Sequence, residues 1–139
     1  MPIQTTTQYS VTVPHEPGRL ARLTQILADA GVDLSSIMTM SLGEQSCVQF
    51  TANQDRGLMI RLCDESYQVC AHRAYRVDLE FHPRLLDAVF SELARRGIAV
   101  LSSYGAVVDA RARWTFCFSS PEEGLAALEA ACAREAILA

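Results

Sequence analysis

Sliding this 139-residue chain against itself by 66 positions aligns its two halves without a gap, and that self-similarity limits the fold more than any other feature. Tyr9 meets Tyr75, Val11 meets Val77, Pro17 meets Pro83 and Leu20 meets Leu86. Further along, Leu27, Ala28, Gly31 and Ser36 meet Leu93, Ala94, Gly97 and Ser102, and Phe50 meets Phe116. The matches fall where one small fold, used twice, needs them: on alternating strands, at a turn proline and at helix-ending glycines. The chain therefore divides into two domains, residues 1–73 and 74–139.

Each half reads β-α-β-β-α, closed by one more strand. In the first half Tyr9, Val11 and Val13 alternate as a strand with one buried face does. Pro17 opens a helix with Leu20, Leu23, Leu27 and Ala30 on one side, and Gly31 ends it. Residues 32–42 and 46–52 form a hairpin around Gly43 and Glu44. A short helix near 55–63 and a closing strand at 67–72 complete the unit. The second half repeats the plan with Tyr75, Val77, Leu79 and Phe81, then a helix carrying Leu86, Val89, Phe90 and Leu93 and ended by Gly97. Strands at 98–108 and 113–118 follow, with Trp114, Phe116 and Phe118 on one face. Ser120-Pro121-Glu122-Glu123 then has the form of a helix start. Only Ile137, Leu138 and Ala139 are left for a last strand. That strand is very short, missing, or supplied by another segment such as residues 1–8. The expected class is α+β: two tandem ferredoxin-like βαββαβ units, antiparallel sheets with the helices packed on one face.

Composition narrows the function. With 50% hydrophobic residues and 20% charged, the chain has enough apolar mass for a core. A net charge of −4, with arginines scattered among sixteen acids, argues against nucleic acid as a partner. No stretch approaches the roughly 18 apolar residues that cross a bilayer, and the N-terminus lacks a basic start and an apolar run. A cytoplasmic location with no membrane contact is the expectation. There is no lysine, which removes phosphate loops of the Walker type and Schiff-base chemistry. The five cysteines form no CxxC pair, so neither a zinc site nor a disulfide framework is expected, and mostly buried free thiols are. His15, His72 and His82 have no nucleophile or metal-ligand spacing beside them. No catalytic residue, metal or cofactor is expected.

The segment Pro14-His15-Glu16-Pro17-Gly18-Arg19 is the best candidate for a binding site. Its glycine lets a ligand approach the backbone, and the helix that follows aims unpaired N–H groups and the positive end of its dipole at the same place. A small carboxylate suits that environment. On residues alone, a tight turn with a solvent-exposed His15 explains the segment equally well.

The string YSVTVPHEPGRLARLTQILADAGVDLSSI resembles the ACT domain, a small regulatory module that senses amino acids. Glu16-Pro17-Gly18-Arg19-Leu20 and Gly31-Val32-Asp33-Leu34 fill that family's turn and strand-opening motifs, and FHPRLLDAVFSELARRGIAVLSSYGAVV is a weaker copy. The two halves together resemble free-standing tandem ACT proteins with no attached enzyme. The resemblance implies a non-enzymatic regulatory protein that binds an amino acid or similar small carboxylate at an interface between ACT units. Separately, the uncovered face and edge of such a sheet want cover, which a homodimer would supply. By the resemblance, His15, Glu16, Pro17, Gly18 and Arg19 would hold the ligand from the loop, with Asp33 and Leu34 from the following strand. Amides near Gly18 and Arg19 would take the carboxylate, and Asp33 the ammonium. In the second half Arg84 replaces the glycine and Ala99 the family's asparagine, so His82 and Arg84 would form at most an altered second site. The alternative is a structural or interaction module, or a regulatory subunit of an amino-acid biosynthetic enzyme, with a degenerate ligand site.

Overall fold

A computed structural model describes residues 3–53 and 56–138 of the chain. Its elements are β1 (Ile3–Pro14), α1 (Arg19–Asp29), β2 (Ser36–Leu42), β3 (Gln45–Ala52), α2 (Arg56–Asp64), β4 (Gln68–Glu80), α3 (Arg84–Arg95), β5 (Val100–Val108), β6 (Arg111–Phe118) and α4 (Pro121–Leu138). The class is α+β, with four helices and a six-stranded sheet in the order β2-β3-β1-β4-β6-β5. Its contacts separate into two compact units, one of Thr6–His72 and one of Met1–Thr5 with Arg73–Ala139.

In the Thr6–His72 unit, β3 lies between β1 and β2 and pairs antiparallel with both. Phe50 stands opposite Tyr9 on one side and Ile37 on the other, which puts the alternating residues of three strands on one face. Tyr9, Val11, Val13, Val48 and Phe50 are fully buried there, and the Tyr9 and Phe50 rings stack at 5.1 Å. Leu23, Ile26 and Leu27 of α1, with Leu58 and Leu62 of α2, cover that face. The expected α1 stripe is shifted toward its C-terminal end. Ile26 is buried while Leu20 is 39% exposed, because the first turn of α1 overhangs the end of the sheet rather than its centre.

The unit of Met1–Thr5 and Arg73–Ala139 uses the same arrangement. Tyr75 and Val77 of β4 oppose Phe116 and Trp114 of β6, and β5 pairs antiparallel with β6 through an irregularity between Val100 and Ser102. Tyr75, Val77, Val89, Leu93, Phe116, Phe118 and Leu128 form the core. Phe90, expected on the buried stripe, is 39% exposed, yet its ring meets Phe116 edge-on at 5.9 Å.

Both copies end their first helix the same way. The Gly31 amide donates to Ala28 O and the Val32 amide to Leu27 O; Gly97 and Ile98 repeat this with Ala94 O and Leu93 O. This is the Schellman closure, and it needs a left-handed residue, which φ values of +67° and +69° supply. The end of α2 closes similarly, through Ser66 to Cys63 O and Tyr67 to Leu62 O, but with a serine at φ +67°.

Several boundaries differ from those read in the sequence. β2 begins at Ser36, not residue 32, so Asp33 and Leu34 precede the strand, because the Gly31 closure turns the chain before pairing resumes at the Ser35 amide to Thr51 O. β5 likewise starts at Val100 rather than residue 98, and β6 starts at Arg111. The strands expected at 67–72 and 75–81 are one 13-residue strand, β4, since no turn-forming residue interrupts Cys70-Ala-His-Arg-Ala-Tyr75. β1 begins at Ile3, well ahead of Tyr9. Asp55, read as the start of α2, and Ala139 lie outside the described residues. Of the three alternatives for the last strand, a short one over 137–138 is not what forms. α4 continues helically to Leu138, as its alanine-rich run favours. Ile3 packs instead on the second core, Arg76 donates to Gln4 Oε1 at 2.7 Å, and β1 neighbours β4.

Candidate functional site

The face of the sheet that packs under the helices of the Thr6–His72 unit changes chemistry along its length. At its centre it carries Phe50 and Val48. Toward the β2–β3 turn the next residues on that face are Ser46 of β3, opposite Val13 of β1, and Thr39 and Ser41 of β2. α1 leaves that end open, with Leu20 in its first turn 39% exposed. Its N-terminal turn, the Pro14–Gly18 loop and these hydroxyl residues enclose a cleft of about 420 Å³, lined by Val13, Pro14, His15, Glu16, Pro17, Gly18, Leu20, Thr39, Ser41 and Ser46.

Loop geometry follows from its residues. The His15 amide donates to Glu44 O at 2.9 Å, which ties the loop to the β2–β3 turn, and the Glu16 amide donates to Pro14 O at 2.8 Å. The His15 ring is held by a 2.9 Å hydrogen bond between Nδ1 and Ser46 Oγ. Gly18 is the N-cap of α1 at φ +90°, a conformation that costs a residue with a Cβ about 1–2 kcal/mol. Being glycine, it provides no side-chain cap, and the first turn of α1 contains no acid. The positive end of this 11-residue helix borders the cleft, where the Arg19 amide donates to Glu16 O at 3.3 Å and the Glu16 side chain lines the wall. Arg19 is turned to Glu16, Nε to Oε2 at 3.3 Å, and its carbonyl accepts from the Tyr67 hydroxyl at 3.3 Å.

Of the residues singled out from sequence, His15, Glu16, Pro17 and Gly18 come together around one cleft, while Arg19 sits at its edge in an ion pair. Asp33 and Leu34 are exposed in the connection between α1 and β2 and do not line it. His82 is half-buried just before α3, and Arg84, the first residue of α3, is exposed and lines a separate cleft beside α4. Thr39, Ser41 and Ser46 were not anticipated. The signal for them was present in the repeat. Their counterparts 66 residues on are Gly105, Val107 and Ala112, and the counterpart of His15 is Phe81. Four polar lining positions of the first copy are thus apolar or glycine in the second, while Glu16 becomes His82. Arg84 stands where Gly18 does, and α3 accordingly starts one residue earlier in the repeat than α1.

The cysteines offer little chemistry. Cys117 and Cys132 are buried, which raises both thiols, Cys132 to about 11, so neither is a thiolate at neutral pH. The expectation of mostly buried thiols fails for Cys63 and Cys70, which are exposed because they sit on the outer side of α2 and at the start of β4. Among the described residues, no three His, Cys, Asp or Glu side chains are placed to hold a metal, and no helix is long and apolar enough to cross a membrane.

No protein-family model matches the chain, and no curated protein does. Solved structures do. The regulatory subunit of aspartate kinase from Thermus thermophilus, in its ligand-free form, superposes with a TM-score of 0.68 at 18% identity, over 93% of each chain. That from Thermus flavus gives 0.67 at 19%, over 94% of this chain and 95% of that one. Protein BT0572 from Bacteroides thetaiotaomicron gives 0.78 at 17%, over 93% and 90%. The chain has an ACT-like fold. At these identities the likeness extends to the ACT-like architecture and its near-complete span, not to any particular ligand.

Proposed function

We propose that this chain is a non-enzymatic regulatory protein made of two tandem ACT-like units, residues 1–73 and 74–139, of which the first binds an amino acid or similar small carboxylate. The observation that carries this reading is the cleft at the N-terminus of α1, where His15, Thr39, Ser41 and Ser46 stand in the first half and Phe81, Gly105, Val107 and Ala112 in the second. A ligand carboxylate takes the α1 amides near Gly18 and Arg19. Its polar substituents meet His15 and the hydroxyls of Ser46, Ser41 and Thr39. The second half, with His82 and Arg84, is then a structural copy rather than a second site of the same kind.

Asp33 and Leu34, outside the cleft, act through a homodimer, in which they belong to the interface that completes the site. Support for the dimer comes from β2, which ends the strand order and exposes Ile37, Met40 and Leu42. Regulation follows if the ligand prefers one arrangement of ACT-like units over another. A second reading, a regulatory subunit that binds an enzyme, is favoured by the regulatory subunits of aspartate kinase that share the fold.

The test is a thermal-shift screen of the twenty amino acids at millimolar concentration. A ligand at about 100 times its dissociation constant adds about 2.7 kcal/mol, a shift of several degrees. A hit that is lost in the double variant His15→Phe/Ser46→Ala, which installs the second copy's residues, and weakened in Asp33→Ala, establishes the sensor. No shift with any amino acid refutes it in favour of the interaction module, to be sought by pull-down on an aspartate kinase catalytic chain.

A further inference from the structure

The unit of Met1–Thr5 and Arg73–Ala139 carries an unusual charge arrangement of its own. Glu92, in the middle of α3, is only 3% exposed, and three arginines converge on its carboxylate. Arg95 donates from Nε to Oε2 at 3.0 Å and from Nη2 to Oε1; Arg96 Nε donates to Oε1 at 2.9 Å; Arg134 of α4 reaches Oε2 at 3.4 Å. Arg95 and Arg96 take three of the carboxylate's roughly four acceptor positions. Arg134, 57% exposed, spends one N–H on a long bond. Arg84, on the same face of α3, has no ion-pair or hydrogen-bond partner among the described residues.

These groups surround a cleft of about 420 Å³ between α3 and α4, lined by Arg84, Asp87, Ser91, Glu92, Arg95 and Arg134. Glu92 stays ionised, held down to about 2, first by its hydrogen bond from Arg95. Asp87 accepts from the Ser91 hydroxyl at 3.2 Å. Three arginines and two acids line the cleft, an excess of one positive charge in a chain whose net charge is −4, and Arg84 and Arg134 keep most of their forked N–H donors unspent. Forked donors converging on one cavity match an anion with several acceptor oxygens better than a monocarboxylate.

We propose that the α3–α4 cleft binds a phosphate dianion, free or as the phosphomonoester of a small molecule. Arg84 and Arg134 donate to the phosphate oxygens, Arg95 adds its remaining N–H groups, and Glu92 fixes the Arg95 and Arg134 forks. This site stands apart from the amino-acid cleft and does not depend on it.

The test titrates the 15N-labelled full chain with inorganic phosphate, then glycerol 2-phosphate, at constant ionic strength against chloride. Saturable shifts confined to Arg84, Ala88, Ser91 and Arg134 are expected. They weaken about tenfold in Arg84→Gln and are unchanged in Arg22→Gln, a variant of α1. Lowering the pH from 7.5 to 5 weakens binding as the monoester, with a second pKa of about 6, and inorganic phosphate, with a higher one, become monoanions. Tighter binding of the monoester identifies a phosphorylated small molecule as the ligand, and equal or weaker binding identifies free phosphate. Shifts equally produced by chloride, scattered through the unit, or intact in Arg84→Gln overturn the proposal.

Discussion

Replacing Gly18 by alanine separates backbone geometry from steric effects at the candidate site. An added Cβ at this position meets nothing within 4 Å, so its effect is conformational. Holding alanine at φ +90° costs about 1–2 kcal/mol. Restricting the unfolded chain returns about 0.4–1 kcal/mol. The net is a destabilisation of about 0–1.6 kcal/mol, provided that the loop keeps its conformation. The second copy shows the other outcome open to the chain. With Arg84 at the equivalent position, the helix begins a residue earlier and the strain disappears. In Gly18→Ala that shift would pull the loop away from Ser46 and break the hydrogen bond from His15. Only this second outcome disturbs the cleft. Urea unfolding measures the stability loss, and the amino-acid thermal shift measures the site. Gly31→Ala is the control, because Gly31 has the same left-handed requirement and the same open space but lies outside the cleft. It should cost similar stability and leave the ligand response intact. A Gly18→Ala protein that is more stable than the parent and keeps its full ligand response would refute the argument.

Other expectations follow from the same structure. Ser66→Gly relieves a left-handed serine at φ +67° and should raise stability by about 0.5–1 kcal/mol, the reverse of the Gly31 case, seen as a higher urea midpoint. Phe50→Ala removes a fully buried ring stacked on Tyr9 and should cost about 3–5 kcal/mol by the same measurement. Glu92 is depressed from 4.5 to about 2 in the folded protein, so it binds protons more readily when unfolded. Its contribution is therefore full above pH 4.5 and is lost as pH falls toward 2. In Glu92→Gln that part of the acid destabilisation should vanish from urea midpoints measured across this range. A slope equal to that of the parent would show that Glu92 does not couple to folding.

Side-chain periodicity carried much of the secondary structure. Alternation at Tyr9, Val11 and Val13, its copy at Tyr75 and Val77, and the glycines at 31 and 97 are local signals, set by side-chain period and by left-handed φ, and each fell where the elements are. The first-half loop was also visible, because Pro17-Gly18 before an apolar helix is a contiguous pattern. Tertiary structure decided what depended on residues distant in sequence. Thr39, Ser41 and Ser46 became part of the cleft only through the register of β2, β3 and β1, which no contiguous motif encodes. Asp33 and Leu34 left the cleft because the helix closure at Gly31 postpones strand pairing to Ser35. Glu92 stood out in no sequence pattern, yet the folded unit buries it and brings Arg134 of α4 to it across 42 residues. The start of β1, which could have been a frayed terminus, supplies Ile3 to the second core because α4 stays helical to Leu138. Periodicity specifies which face of an element is apolar, and only the assembled chain determines which polar residues that apolar packing brings together.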